Sequence, residues 1–149
     1  MVEVRFKRLS SRASIPAYQS AGAAGLDLAA CLPEEHATVT IAPGQITLVP
    51  LGFAVAIPQG YEGQVRPRSG LATKHGIGIP NAPGTVDSDY RGEMKVALIN
   101  LSREPFVVTH GMRVAQLVIA PVAHATIREV NSLDDTARGG GGFGSTGIV

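Results

Sequence analysis

The chain has 149 residues, 44% of them hydrophobic and 17% charged, a balance that belongs to a folded domain and excludes a disordered one. A net charge of +1 excludes a diffuse field that would gather nucleic acid nonspecifically, so any anionic ligand must be held by local groups. The single cysteine, Cys31, excludes an internal disulfide and reads as a small buried hydrophobe in a reducing compartment.

Strand patterns dominate the chain from its start. Val2, Val4 and Phe6 alternate with charged residues, and this charged, alternating start is unlike a signal peptide. Strands are then expected at residues 39–41, 46–49, 53–57 and 61–66, separated by Pro43-Gly44, Pro50-Leu51-Gly52 and Pro58-Gln59-Gly60. Residues 69–74, SGLATK, are the one stretch of helical composition, with Ser69 as the expected N-cap. Further strands are expected at 95–100, 106–109, 114–120 and 125–130. No apolar run approaches the ~20 residues that span a bilayer, so the cytoplasm is the expected location. With 18 glycines and 10 prolines marking many turns, the pattern predicts an all-β sandwich or barrel-like domain over residues 1–133.

Residues 134–149 differ in kind. Four consecutive glycines at 139–142 lose much freedom on ordering, which predicts a mobile C-terminal arm. Arg138 and Phe143 flank them. A guanidinium pairs with phosphate and a phenyl ring stacks on a base, so the arm reads as a folding lid in preference to a frayed end.

The richest segment is GTVDSDYRG, from Gly84 to Gly92. It sets the carboxylate of Asp87 at the end of a strand and follows it with a polar turn, the ring of Tyr90 and the guanidinium of Arg91. Such a hairpin is either the wall of a pocket for a small planar substrate or an ordinary charged turn. Four other segments carry candidate chemistry. In AGLDLAA, Asp27 stands between two leucines; it either anchors a metal-bound water or faces solvent. In RPRSGLA, Arg68, Ser69 and Gly70 enter the short helix, where free N–H groups, a hydroxyl and a positive charge make either a phosphate cradle or a plain capped turn. Asn81, between Pro80 and Pro83, has an amide that matches a pyrimidine edge, although asparagine is also a common turn residue. Gln116, the polar residue within the apolar strand of RVAQLVIAP, needs a partner in the protein or in a ligand. The four histidines show no metal-ligand spacing, and neither a GxSxG elbow nor a Ser-His-Asp set is present. If the chain is catalytic, a carboxylate base acting on water is the best-supported route, with a divalent cation such as Mg2+ held chiefly by the phosphates of a substrate.

In order and spacing, AGLDLAA, RPRSGLA, NAPGTVDSDYRG, RVAQLVIAP and RGGGGFGSTG closely resemble the five motifs of the trimeric dUTPase family. The resemblance covers nearly the whole chain. It implies a jelly-roll-like, β-clip type barrel with one short helix, assembled as a homotrimer whose active sites lie between subunits. It further implies hydrolysis of dUTP to dUMP and pyrophosphate with Mg2+. Asp87 would activate water for attack on the α-phosphorus. Tyr90 would pack beneath deoxyribose and leave no room for a 2′-hydroxyl, and Asn81 would read uracil in a hairpin too tight for the thymine methyl. The backbone at Thr85, Val86 and Lys95 would frame base and sugar. Arg68, Ser69, Gly70 and Gln116 would meet phosphate or the water, and Asp27 would act indirectly through metal-bound water or a structural network. Arg138 and Phe143 would clamp the γ-phosphate and cover the uracil.

Two other readings compete. A dCTP deaminase on a related fold would need a pocket carboxylate, typically a glutamate, against cytosine; Glu93 is the nearest glutamate and lies past the turn. A non-catalytic nucleotide-binding regulator could dispense with Asp87, which this chain keeps together with Arg138 and Phe143.

Overall fold

The computed structural model describes residues 2–145. Its strands are β1 (Arg5–Arg8), β2 (Ala17–Tyr18), β3 (Leu26–Ala29), β4 (Thr38–Ile41), β5 (Ile46–Ala56), β6 (Tyr61–Arg66), β7 (Ile77–Gly78), β8 (Gly84–Val86), β9 (Glu93–Asn100), β10 (Phe106–Thr109) and β11 (Arg113–Pro121), with a short α-helix, α1 (Ser69–His75), and a 3-10 turn at Glu34–His36. They form a four-stranded sheet, β1-β5-β9-β7, a five-stranded sheet, β2-β3-β11-β6-β8, and the pair β10-β4. The paired strands are antiparallel throughout. This is the expected all-β, jelly-roll-like architecture.

Period-two alternation puts one face of each sheet into a shared core. On β9, Met94, Val96 and Leu98 point inward while Lys95 faces out. On β6, Gly63 and Val65 point inward while Arg66 is exposed. Phe53, Leu51, Leu28, Ile41, Leu117 and Val114 are fully or almost fully buried between the sheets. Burying one such side chain contributes about 1.5–3 kcal/mol. The one buried polar side chain among the described residues, Asn100, is satisfied: its Nδ2 donates to the carbonyls of Ile41 (2.9 Å) and Glu104 (2.8 Å), and its Oδ1 accepts from the Ser102 N–H (2.9 Å).

Three local expectations are corrected. Residues 46–49 and 53–57 are not two strands; β5 runs through both. Its register against β9 shifts between Pro50 and Ala54, and Gly52 sits at φ +71°. Pro50-Leu51-Gly52 is therefore a bulge, which needs a residue tolerant of the left-handed region and not a chain reversal. The N–H of Gly52 donates to Glu93 Oε1 at 3.2 Å, so a side chain supplies an acceptor at the irregularity. Ser69 is not the N-cap. Arg68 takes that place with extended φ/ψ and no side-chain capping bond, so Ser69 is the first helical residue. Residues 125–130 join no sheet: Ile127 is 89% exposed, and a lone strand without a neighbouring edge has no partner for its backbone. Beyond Pro121 the Val122 N–H donates to the Gly60 carbonyl (3.0 Å), and the described chain thereafter is almost wholly exposed.

Candidate active site

Strand β8 builds the first half of the site. It pairs with β6 through Val86↔Gly63, Thr85↔Gln64 and Val65↔Gly84. Gly84 and Val86 are buried, so alternation turns Thr85 outward, and Asp87 emerges exposed just past the strand end. The Tyr90 N–H donates to the Asp87 carbonyl at 3.2 Å and closes the turn. The Tyr90 hydroxyl donates to the Glu93 carbonyl at 2.9 Å, which folds the ring back along its own hairpin. Gly92 makes that possible: a Cβ there would stand 2.5 Å from the Tyr90 hydroxyl oxygen and 2.7 Å from Cζ. Arg91, prominent in the sequence, has its guanidinium on the carbonyls of Ser88 (2.7 Å) and Tyr90 (2.6 Å), where it braces the turn.

A cleft of about 450 Å³ opens beside this hairpin. Asn81, Thr85, Val86, Asp87, Tyr90 and Lys95 all line it, together with apolar Leu48 and Met94. Its size and its mixture of apolar wall with a few converging polar groups suit a nucleoside-sized ligand. All six residues expected at base, sugar and attacking water are thus brought to one place.

The second half lies where β3, β11 and the start of α1 meet. Asp27, Gln116 and Arg66 occupy one row across β3, β11 and β6. Arg68 Nε lies 3.3 Å from Asp27 Oδ1, and Arg113 Nη1 lies 2.8 Å from Asp27 Oδ2. Arg68 also donates to the Arg113 carbonyl (3.0 Å). Gln116 Nε2 donates to the Pro67 carbonyl (2.9 Å), leaving one N–H and the carbonyl oxygen of its amide for other partners. A cavity of about 380 Å³ is lined by Asp27, Arg68, Ser69, Gly70 and Gln116. Its groups are cationic and N–H-rich, which suits polyphosphate. Both oxygens of Asp27 face guanidinium groups, so in this structure the carboxylate belongs to a network that holds Arg68 and Arg113. Among the described residues no three His, Cys, Asp or Glu side chains cluster as metal ligands.

The arm stands apart from both halves. Arg138 Nε donates to the Gly141 carbonyl at 2.8 Å, Phe143 is fully exposed at φ +50°, and neither residue lines either cleft. Nor do the two clefts share a residue. Arg113 and Gly25 carry no recognisable role in the sequence, and Gly92 reads there only as a bracket of its turn. Arg113 pairs with a residue 86 positions away, a contact no local pattern signals. Gly92 and Gly25 matter because ring or amide atoms pass where their Cβ would be; at Gly25 a Cβ would lie 2.5 Å from Gln116 Oε1. Their signal was a glycine inside each motif, with no indication of what approached it.

Residues 11–147 match the family model described as dUTPase. A deoxyuridine 5′-triphosphate nucleotidohydrolase of Sinorhizobium medicae is 63% identical over 134 residues, spanning 90% of this chain and 83% of that protein. The Staphylococcus bacteriophage 80alpha dUTPase, solved with dUPNHPP, superposes with a TM-score of 0.82 at 26% identity, covering 98% of this chain and 99% of that one. A dUTPase from phage phi11 of S. aureus, whose structure describes coordination of a structural Mg(II) ion, shares the fold with a TM-score of 0.79 at 22% identity over 89% of this chain and 99% of its own. With a matching family model over nearly its full length and relatives of this identity, the chain belongs to the dUTPase family.

Proposed function

We propose that this protein hydrolyses dUTP to dUMP and pyrophosphate in the cytoplasm, limiting dUTP among DNA precursors and supplying dUMP for dTMP synthesis. The observation that carries the reading is the cleft in which Asp87, Asn81 and Tyr90 converge, in a chain of this family.

Asp87 is the general base. It is exposed at the cleft edge, with no ion pair to any described cation, and so is free to take a proton from water. Asp87 aims that water in line at the α-phosphorus; a positioned base contributes ~10²–10⁴-fold. Tyr90 lies beneath the deoxyribose and excludes a 2′-hydroxyl by contact. The Asn81 amide pairs with the uracil edge, and Thr85, Val86 and Lys95 frame base and sugar. Exclusion by clash discriminates more strongly than a missing contact in a loose pocket.

Arg68, Ser69, Gly70 and Gln116 receive the phosphates, and Asp27 keeps Arg68 aimed into the cradle. Phosphoanhydride hydrolysis needs positioning and charge neutralisation more than covalent chemistry. Mg2+ would be held chiefly by the triphosphate's own oxygens, and Asp27 would act on it only indirectly, through water. Mg2+ held by the substrate's phosphates would supply further charge neutralisation there, beside Arg68, Ser69, Gly70 and Gln116.

One chain keeps its base-reading cleft and its phosphate cradle separate, which supports a homotrimer in which one subunit's Asp87 cleft faces another's cradle. The C-terminal arm expected at residues 134–149, of which the last four lie outside the described residues, closes over a neighbouring subunit's site with Arg138 on the γ-phosphate and Phe143 over the uracil. The test is a panel of dUTP, dCTP, dTTP and UTP with Mg2+, assayed for pyrophosphate and ammonia beside native mass measurement. Pyrophosphate from dUTP in a trimer is expected. Ammonia from dCTP would favour the deaminase, and tight dUTP binding without turnover would favour a regulator.

A further inference from the structure

Two guanidinium groups line the phosphate cradle and a third, Arg66, lines the cleft beside it; the three are not equivalent. Arg68 and Arg113 share one carboxylate, Asp27, at 3.3 and 2.8 Å. Arg66 forms no ion pair among the described residues. Its Nε donates to Gln64 Oε1 at 3.1 Å, and its Nη2 donates to the same neutral oxygen. Gln64 in turn donates from Nε2 to Glu62 Oε1 at 2.8 Å, so the amide is held with its oxygen toward Arg66.

The position of Arg66 gives this unneutralised charge a use. It stands directly across from Gln116, which stands across from Asp27, in one row over three adjacent strands. The β6 alternation turns it outward, onto the face that carries Gln116. Arg66, Ser69 and Gln116 line a shallow cleft of about 550 Å³, and Ser69 and Gln116 also line the cradle. The remaining wall includes Ala82 and Pro83, from the connection that carries Asn81. Arg66 therefore stands at the wall between the cradle and the base-reading connection of its own chain. Arg68 and Arg113 line the cradle and share one carboxylate, whereas Arg66 stands in the adjoining cleft, held by a neutral amide and by no direct ion pair among the described residues.

Building on the reading of the site as a dUTP site, we propose that Arg66 is a further phosphate-binding residue. It leaves the Gln64 amide to donate to a phosphate oxygen of the incoming triphosphate. A charged phosphate is the stronger acceptor, and the exchange gives up only a neutral hydrogen-bond partner at an exposed position. Before contact, the same charge steers the polyanion toward the cradle. Arg66 thus acts on capture of substrate and leaves the step at the α-phosphorus to Asp87.

The experiment uses the full chain with Arg66→Gln and Arg66→Lys. Inorganic triphosphate binding is measured by calorimetry across a salt series, and dUTP turnover is measured in parallel. Arg66→Gln is expected to weaken triphosphate binding about five- to tenfold, the scale of a partly screened charge contact, and to flatten the salt dependence. KM for dUTP should rise similarly while kcat stays within about twofold. Arg66→Lys should keep most of the affinity, which a merely structural role for the arginine fork would not allow. Equal affinity and equal salt slope in wild type and Arg66→Gln overturn the inference, as does a wild type that binds no triphosphate. Because that binding needs no turnover, a protein that holds triphosphate through Arg66 yet leaves dUTP intact would instead sink the proposed reaction.

Discussion

Replacing Gly92 with alanine tests the proposed place of Tyr90 beneath the deoxyribose, and whether the backbone of the hairpin, and not the tyrosine alone, sets it. The added Cβ would lie 2.5 Å from the Tyr90 hydroxyl oxygen, 2.7 Å from Cζ and 3.0 Å from Cε2. Ordinary carbon contacts begin near ~3.5 Å, so the ring must swing away by roughly 1 Å and give up its hydroxyl bond to the Glu93 carbonyl. That bond is exposed and contributes about 0.5–1.5 kcal/mol at most. Gly92 is not among the positive-φ residues, so alanine fits the backbone and gains roughly 0.4–1 kcal/mol from a less flexible unfolded chain. The two effects nearly cancel, and Tm should barely move. Function should not be spared, because misplacing a positioning group by about 1 Å can cost ~10²-fold. The expected result is a fall in kcat/KM for dUTP of ~10–10²-fold, with a smaller preference for dUTP over UTP. Steady-state kinetics on both nucleotides measures it. Adding Gly92→Ala to Tyr90→Ala should then cost almost nothing further, since the glycine acts through the ring. Unchanged kcat/KM and an unchanged dUTP-to-UTP ratio in the single variant would refute the reasoning.

The remaining expectations follow the same geometry. Asp87→Asn should fold and bind dUTP but lose ~10²–10⁴ in turnover, read by single-turnover kinetics beside a melting curve; a parallel loss of structure would make Asp87 architectural. Asp27→Asn should remove the counter-charge of Arg68 and Arg113 at a site only 14% exposed, costing about 1–3 kcal/mol in urea unfolding and raising KM through a looser cradle. Truncation before Arg138 should leave a stable assembly with little activity, checked by native mass and kinetics, and near-normal kcat/KM would end the lid assignment.

Much of this protein was legible along the chain because the relevant signals are local. Short apolar runs between turn signals marked β6, β9, β10 and β11 close to their observed bounds, since each strand needs only its own residues to declare itself. GTVDSDYRG disclosed its carboxylate, ring and turn together because they lie in one hairpin. The strand expected at residues 125–130 shows the limit: an apolar pattern declares a surface to bury but not whether the chain holds an edge to receive it. Likewise the Pro50-Leu51-Gly52 signal marked an irregularity without distinguishing a bulge from a reversal. Only folding decided that Asp27 would sit between Arg68 and Arg113, that Gln116 would align with Arg66, and that the Gln116 amide would pass beside Gly25. Composition and local pattern therefore determined the fold class and the residue types available for chemistry. Their mutual distances came only from folding, because antiparallel registers bring together side chains that no sequence interval connects.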